Sequence, residues 1–409
     1  MNAAATFATV TPARIFLRKG RDGPVRGGNP WIFSGAIERT DPAGIAPGAI
    51  VDVYDVTGNR IGRGHYNPAT TIAVRMLGWG NNPPPIADLI RHRLTRAAAL
   101  RGNMIASATD CYRVVNGDGD GLSGLVLDRY GDVFVMQLLS AGMDSMRTDI
   151  VAAVRELFAP RAIIERSQGA VRREEGLADR ASPVDGDSAT SAIVTENGVR
   201  LEADFEHGQK TGAFLDQRDN RARLAAMASG ARVLDLFCYA GGFSLAALAG
   251  GARHVTAVDT SARALDWMRR NLELNGYSST AAETAIVKAD AGEFLRGLPG
   301  GGENKFDLII LDPPPLARGR AQAVRAGRLY TELNALAMRA LAPGGRLMTF
   351  SCSTHFRGED FIGAVRAAQE PGHIHLKTLA HLGPGIDHPV LLGHVEGDYL
   401  TGLLLADLG

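Results

Sequence analysis

The residues best suited to covalent chemistry are a carboxyl and a thiol at the ends of two apolar runs. Leu308–Asp312 ends in an aspartate followed by Pro313 and Pro314, and Arg346–Phe350 is followed by Ser351, Cys352 and Ser353. If these runs are strands of one sheet, Asp312 and Cys352 face a common cleft. That pairing fits attack on a pyrimidine ring. Carbon 5 of such a ring is a weak nucleophile, but a thiolate added to carbon 6 makes it enamine-like. The activated carbon can then accept an electrophilic methyl group, after which a base removes the carbon-5 proton and the thiolate leaves. Cys352 is the expected nucleophile. Asp312 is expected to bond the base edge and favour protonation at N3. The residues do not single out the proton-removing base. An Asp-Pro-Pro turn also serves many amino-methyltransferases, and in that case Cys352 is passive. An aromatic residue usually follows the turn in adenine-N6 enzymes. Pro315 and Leu316 follow it here, which weakens that alternative.

A methyl donor needs its own pocket, and Val233–Ser244 has the makings of one. The segment follows an apolar run and opens a helical one, with Gly241 and Gly242 free to turn sharply beside a ligand. The spacing is not GxGxxG, so the dinucleotide fingerprint is absent. Asp235 precedes the loop, where a carboxylate can meet the cationic methionine end of S-adenosylmethionine. Asp259 ends the next apolar run and can accept from both ribose hydroxyls. Asp290 ends the third and can reach the adenine amino group. Of the other thiols, Cys238 reads as packing within this loop and Cys111 as structural. His207, His355, His388 and His394 show no metal-ligand spacing, and no metal is expected.

Three regions must position these groups. Residues 1–80 show short alternating runs (Arg14–Arg18, Ile50–Tyr54, Arg60–Tyr66, Thr71–Leu77) with turns at Gly58-Asn59 and Asn67-Pro68, a small β-rich domain. Gly80–Pro85 reads as a linker. Residues 81–191 read as an α+β domain: a helix over Ile86–Leu100, strands Leu122–Asp128 and Val133–Leu139 joined by Arg129–Asp132, a helix over Asp144–Phe158 and a strand over Ala162–Glu165. Ala181–Ser191 reads as a second linker. Residues 192–409 alternate strands (Arg232–Leu236, His254–Asp259, Ala285–Ala289, Leu308–Asp312, Arg346–Phe350) with helices (Ser244–Gly250, Ser261–Asn275, Ala291–Leu298, Ala326–Leu341). That alternation predicts an α/β, Rossmann-like domain with its ligand at the carboxyl ends of parallel strands.

The combined motifs resemble the bacterial 23S rRNA cytosine-C5 methyltransferase family. They are the run Gly208–Arg218, Asp235–Ser244, Asp312-Pro-Pro, Ser351-Cys-Ser353 and Asp387-His-Pro-Val390. Trp31–Gly35 resembles its PUA domain, a small β-barrel. Tyr112–Gly117, Asp120–Gly124 and Leu127–Asp132 resemble its central hairpin domain. The resemblance implies a class I methyltransferase domain that uses S-adenosylmethionine. The cofactor contacts it implies come from Gln217, Arg218, Asp235, Phe237, Tyr239, Gly241, Gly242, Asp259, Ser261, Asp290 and Asp312. It implies Cys352 as nucleophile, and Lys210, Pro313, Pro314, Arg318 and Arg320 against the RNA. Pro315-Leu316 departs from the lysine and aromatic residue common in relatives.

Forty-four basic and 44 acidic residues give no net charge, so RNA would be held by local patches. Candidates are Arg14, Arg18, Lys19, Arg21 and Arg26; Arg91, Arg93, Arg96 and Arg101; Arg166, Arg172 and Arg173; and Arg318, Arg320, Arg325 and Arg328. The expected partner is 23S rRNA of the large subunit, and a homodimer is compatible with the reading. No run reaches the roughly 18 apolar residues of a membrane span. Three scattered cysteines fit a reducing cytoplasm. An RNA-binding assembly factor with an inactive domain is a further alternative, against which the intact Asp235, Asp259 and Asp290 count.

Overall fold

The computed structural model describes residues 12–278, 283–299, 305–317, 319–353, 355–370 and 374–408. The N-terminal region forms one six-stranded sheet. Its strand order is Trp31–Phe33, Ile72–Trp79, Arg60–Tyr66, Ala49–Tyr54, Ala13–Leu17 and Ile37–Asp41. Inward residues Ile15, Leu17, Val51, Val53, Val74 and Met76 make its core. The two shortest strands were not apparent in the hydropathy pattern, because Trp31–Phe33 and Ile37–Asp41 are largely exposed.

The central region is a five-stranded sheet in the order Arg180–Gly186, Ala162–Ser167, Val133–Leu138, Leu125–Tyr130 and Cys111–Asn116. Leu89, Ile90 and Leu94 of helix Ile86–Met104 and Ile150 and Val154 of helix Arg147–Phe158 pack on Phe134, Met136 and Ile163. Two expectations are corrected here. Residues Arg180–Gly186 are not linker but an edge strand, antiparallel to Ala162–Ser167. Their polarity reflects an almost wholly exposed edge. The helix expected over Asp144–Phe158 is two, Ala141–Ser145 and Arg147–Phe158, broken at Met146 and capped at its start by Ser140. A hairpin follows, Ser191–Glu196 against Val199–Asp204. Its turn residues Asn197 and Gly198 both have positive φ, as a two-residue hairpin turn requires.

The C-terminal sheet is built from β1 (Arg232–Leu236), β2 (His254–Asp259), β3 (Thr284–Lys288), β4 (Phe306–Leu311), β5 (Leu341–Ser351), β6 (Leu376–Leu382) and β7 (Thr401–Asp407). Their order is β3-β2-β1-β4-β5-β7-β6, with β1 to β5 parallel and β7 antiparallel to both neighbours. The helices are α1 (Arg218–Ala225), α2 (Gly242–Ala249), α3 (Ala262–Leu274), α4 (Ala291–Gly297), α5 (Ala323–Arg339) and α6 (Glu359–Ala367). Alternation sends Val233, Leu308 and Ile310 to the face covered by α2 and α3, and Leu234, Ile309 and Leu311 to the face covered by α5 and α6. Strand order reverses at β1 and β4, so a crevice opens at their carboxyl ends. Among the described residues no helix is long and apolar enough to cross a membrane.

Asp387 joins this domain to the central one. Its carboxylate pairs with Arg218 at 2.9 Å, accepts from Arg113 N at 2.8 Å and lies 3.0 Å from His388 Nδ1. Its carbonyl accepts from Arg101 Nη2 at 2.7 Å. Burial pushes this carboxyl up, but the His388 hydrogen bond and charge, the Arg218 charge and the Arg113 N–H hold it at about 2. The ionised form therefore stabilises the fold above the ordinary carboxylate range, and that contribution is lost as pH falls towards 2. Asp387→Ala leaves Arg218 short of a buried counter-charge. It should lower unfolding stability by about 3 kcal/mol, measured by urea denaturation at pH 7, with the difference from the parent shrinking in acid. An unchanged midpoint would contradict this reading of the junction.

Candidate active site

β1 carries Asp235 into the crevice, where it is buried among apolar neighbours and accepts from Ser244 Oγ of α2 at 2.6 Å. The chain then turns through three left-handed residues, Phe237, Tyr239 and Gly241. A Cβ on Gly241 would stand 2.6 Å from Met268 Cγ, so this position requires glycine. Asp259, at the end of β2, fastens the turn. Its Oδ2 accepts from Tyr239 N at 3.0 Å and its Oδ1 from Ser261 N at 2.8 Å. Ser261 caps α3 and Asp290 caps α4, through Ala264 N and Glu293 N. Asp235, Asp259 and Asp290 thus stand at three successive strand ends. Cys238 is buried and packs in the loop as expected.

Asp312 follows β4 and accepts from Gln217 Nε2 at 2.9 Å. Asn220 steadies that glutamine, donating to its Oε1 at 2.6 Å. Across the crevice, Cys352 Sγ lies 3.6 Å from Pro313 O. The two serines beside it are structural bolts. Ser353 Oγ accepts from Leu316 N at 3.0 Å and from Ala317 N at 3.3 Å, and it meets Tyr330 Oη at 3.1 Å. Ser351 Oγ donates to Phe356 O at 2.8 Å and lies 2.9 Å from Tyr330 Oη. The tip of β5 and the Asp312-Pro-Pro loop are therefore one unit, in which Pro313 is buried and Pro314 exposed. Lys210 pairs with Asp216, which also accepts from Tyr399 Oη at 2.7 Å.

Burial dominates the electrostatics. It lifts Asp235 to about 7 against the Ser244 hydrogen bonds, with Asp312 and Asp259 adding to the rise. It lifts Asp312 to about 7 as well, aided by Asp216 and opposed by Lys210 and Gln217. The Cys352 thiol is pushed up to about 12 by burial and by Asp312, with Lys210 opposing. A crevice holding several carboxylates and no internal cation for Asp235 suits a positively charged ligand. The glycine cradle and the buried Asp235 fit a sulfonium cofactor.

Most expected site residues converge here, with exceptions. Arg218 is buried and committed to Asp387 and Asp219, so it braces the Gln217 turn. Arg318 and the side chain of Arg320 lie outside the described residues. Three arginines expected on phosphates are internal instead. Arg101 grips Asp120 with two bonds, Arg172 pairs with Asp144 at 2.7 Å, and Arg166 donates to Gly208 O at 2.8 Å. Each is under a tenth exposed, since buried guanidinium groups satisfy carboxylates and carbonyls in the core. Arg26 and Arg14 pair with Asp22, Asp55 and Asp41 at the surface. Asp216, Tyr399, Asn220, Tyr330 and Ser353 were not singled out from the sequence. Their partners lie far along the chain, and only the Gly208–Arg218 run and the paired serines hinted at them. Among the described residues no cluster of His, Cys, Asp or Glu is arranged to hold a metal.

Comparison with known proteins agrees with this geometry. Residues 172–385 match a family model described as S-adenosylmethionine-dependent methyltransferase, and residues 15–79 one described as PUA-like domain. The chain is 38% identical to the ribosomal RNA large subunit methyltransferase I of Klebsiella pneumoniae strain 342 over 95% of its length and 97% of that protein's. It is 39% identical to the protein of the same name from Aeromonas hydrophila over 96% and 99% of the two lengths. A methyltransferase from Streptococcus mutans and one crystallised with S-adenosylhomocysteine share the fold, at 21% identity. Their TM-scores are 0.80 and 0.82, over 96% of this chain and 99% of theirs. With its cofactor crevice at the β1 and β4 switch point and matches over nearly its whole length, the chain belongs to the family of S-adenosylmethionine-dependent methyltransferases that includes the ribosomal RNA large subunit methyltransferases I.

Proposed function

We propose that this enzyme forms 5-methylcytidine in 23S ribosomal RNA of the large subunit, through a covalent adduct on Cys352. The observation that carries the reading is the Cys352 thiol held against Pro313 O, on the same rigid unit as Asp312. S-adenosylmethionine supplies the electrophilic methyl group. Asp235, the Tyr239–Gly242 turn, Asp259 and Asp290 are the residues to hold it. Asp312, with its proton retained near neutrality by burial, donates to N3 as Cys352 sulfur bonds to carbon 6. Gln217 occupies one oxygen of Asp312 and leaves the other for the base edge. After methylation a base takes the carbon-5 proton, the carbon–sulfur bond breaks and N3 returns its proton. Ser353 and Tyr330 keep the nucleophile and acid in register throughout. The names of the relatives support ribosomal RNA as substrate. Exposed Arg325 and Arg328 on α5, and Arg21 and Lys19 on the N-terminal domain, are suited to phosphate contacts.

Incubating the enzyme with labelled cofactor and unmodified 23S rRNA should yield labelled 5-methylcytidine on nucleoside analysis. Cys352→Ala should reduce that yield at least 1,000-fold, on the order expected for loss of a nucleophile. Label found only in guanosine or adenosine would exclude the proposal in favour of amino methylation, and no label at all would favour an inactive assembly factor.

The cofactor site makes a separate prediction. Asp235 is mostly neutral below about pH 7, whereas a cationic ligand favours its ionised form. Binding at pH 6 should therefore release protons, and affinity should weaken as pH falls through 7. Calorimetry in buffers of different ionisation enthalpy measures both. Asp235→Asn should bind roughly 10- to 100-fold more weakly, the range for losing a charged hydrogen-bond partner, with a flatter pH dependence. Equal affinity at pH 6 and pH 8 in the parent enzyme would contradict this account.

A further inference from the structure

The Gly208–Gly212 loop is held far more firmly than a connection needs to be. Gly208 N donates to Asp204 O at 3.1 Å and Gly212 N to Gln209 O at 3.0 Å. Gln209 N donates to Tyr239 Oη of the cofactor turn at 3.1 Å. The central domain grips the same loop. Arg166 donates to Gly208 O at 2.8 Å, Thr211 Oγ1 to Asp128 Oδ2 at 2.6 Å, and Tyr130 Oη meets Thr211 Oγ1 at 2.8 Å. A Cβ on Gly208 would collide with Asp204 O. In the middle of this frame Lys210 adopts φ 53°, a left-handed backbone that a side-chain-bearing residue rarely takes. Such a conformation persists only where the surroundings over-determine it, and it clusters at functional sites.

The frame aims a cation. The Lys210 ammonium pairs with buried Asp216 and lies 4.7 Å from the Phe214 ring centroid and 5.7 Å from that of Tyr399. Tyr399 also donates to Asp216, so carboxylate, phenol and two ring faces share one task. We propose that Lys210 is a positioning residue that sets the ionisation of Cys352, as the counter-charge to its thiolate, with Asp216, Phe214 and Tyr399 holding it in place. This rests on Cys352 being the nucleophile.

The charges around the thiol support the assignment. Asp312 from the end of β4 and Asp216 from the turn before α1 disfavour the thiolate, and Tyr330 of α5 is a neutral phenol. Lys210 is the side chain that favours the thiolate, and its effect exceeds that of its own partner Asp216. Once Asp312 carries a proton its opposition disappears and that of Asp216 is outweighed. The thiol proton then leaves to solvent, and the sulfur anion stands in the field of the lysine until it bonds to carbon 6.

The test is the rate at which iodoacetamide alkylates Cys352, read on its own peptide by mass spectrometry, without RNA, at several pH values between 7.5 and 9.5. Cys111 and Cys238 are buried and are scored separately. Lys210→Gln should slow Cys352 alkylation roughly tenfold at each pH, the lower end of the effect of a nearby opposite charge. Lys210→Arg should stay within about threefold of the parent. Unchanged affinity for S-adenosylhomocysteine would show that both variants are folded. Alkylation of Lys210→Gln at the parental rate would overturn the proposal. So would a variant whose sole defect is a raised KM for RNA, which would make Lys210 a phosphate contact. Failure of the Cys352 reading shows up elsewhere, as methyl transfer surviving in Cys352→Ala.

Discussion

A carboxylate withdrawn from water is costly unless a positive charge or several donors meet it. The crevice at the β1 and β4 ends collects Asp235 and Asp312, both lifted to about 7, with Asp259 and Asp216 beside them. Only Asp216 has an internal cation, Lys210. The imbalance explains much of the molecule. It prepares the crevice for a cationic cofactor and keeps a proton on Asp312. It also opposes ionisation of Cys352 until that proton is present. The surrounding structure exists to sustain this arrangement, through Ser244 on Asp235, Gln217 and Asn220 on Asp312, and Ser353 and Tyr330 beside Cys352.

The domains contribute to the same crevice. The central sheet supplies Asp128, Tyr130 and Arg166, which fix the Gly208–Gly212 loop and hence Lys210. The segment at Asp387 returns from the catalytic domain to Arg101 and Arg113 and braces Arg218, the neighbour of Gln217. Further along, His394 packs edge-on against Trp31 of the N-terminal sheet at 4.4 Å, and Trp31 Nε1 donates to Asp118 Oδ1 at 3.0 Å. A domain suited to RNA is thus in contact with the segment that steadies the acid.

Much of the catalytic domain was legible in the sequence because its signals are local. β1 and β2 span the residues that apolar runs predicted, and the acids at their ends follow from the parallel topology. The hairpin at Asn197-Gly198 also carried a local signal, a positive-φ pair between alternating residues, that went unused. Edge strands were harder. Arg180–Gly186 and β6 show water on most of their residues, so their composition resembles loop. Side-chain partnerships were hardest. Arg101, Arg166 and Arg172 looked like phosphate contacts until the fold buried them against Asp120, Gly208 O and Asp144. Nothing near Ser353 in sequence announces Tyr330, and nothing near Asp216 announces Tyr399.

The central claim is that Cys352 bonds to the target base. RNA carrying 5-fluorocytidine tests it most directly, because fluorine at carbon 5 cannot leave as a proton and the adduct is trapped. The account predicts a cofactor-dependent protein–RNA complex that survives denaturation, with the cross-link mapped to the Cys352 peptide and absent from Cys352→Ala. Turnover of unmodified RNA without any trapped complex on the fluorinated substrate would contradict it.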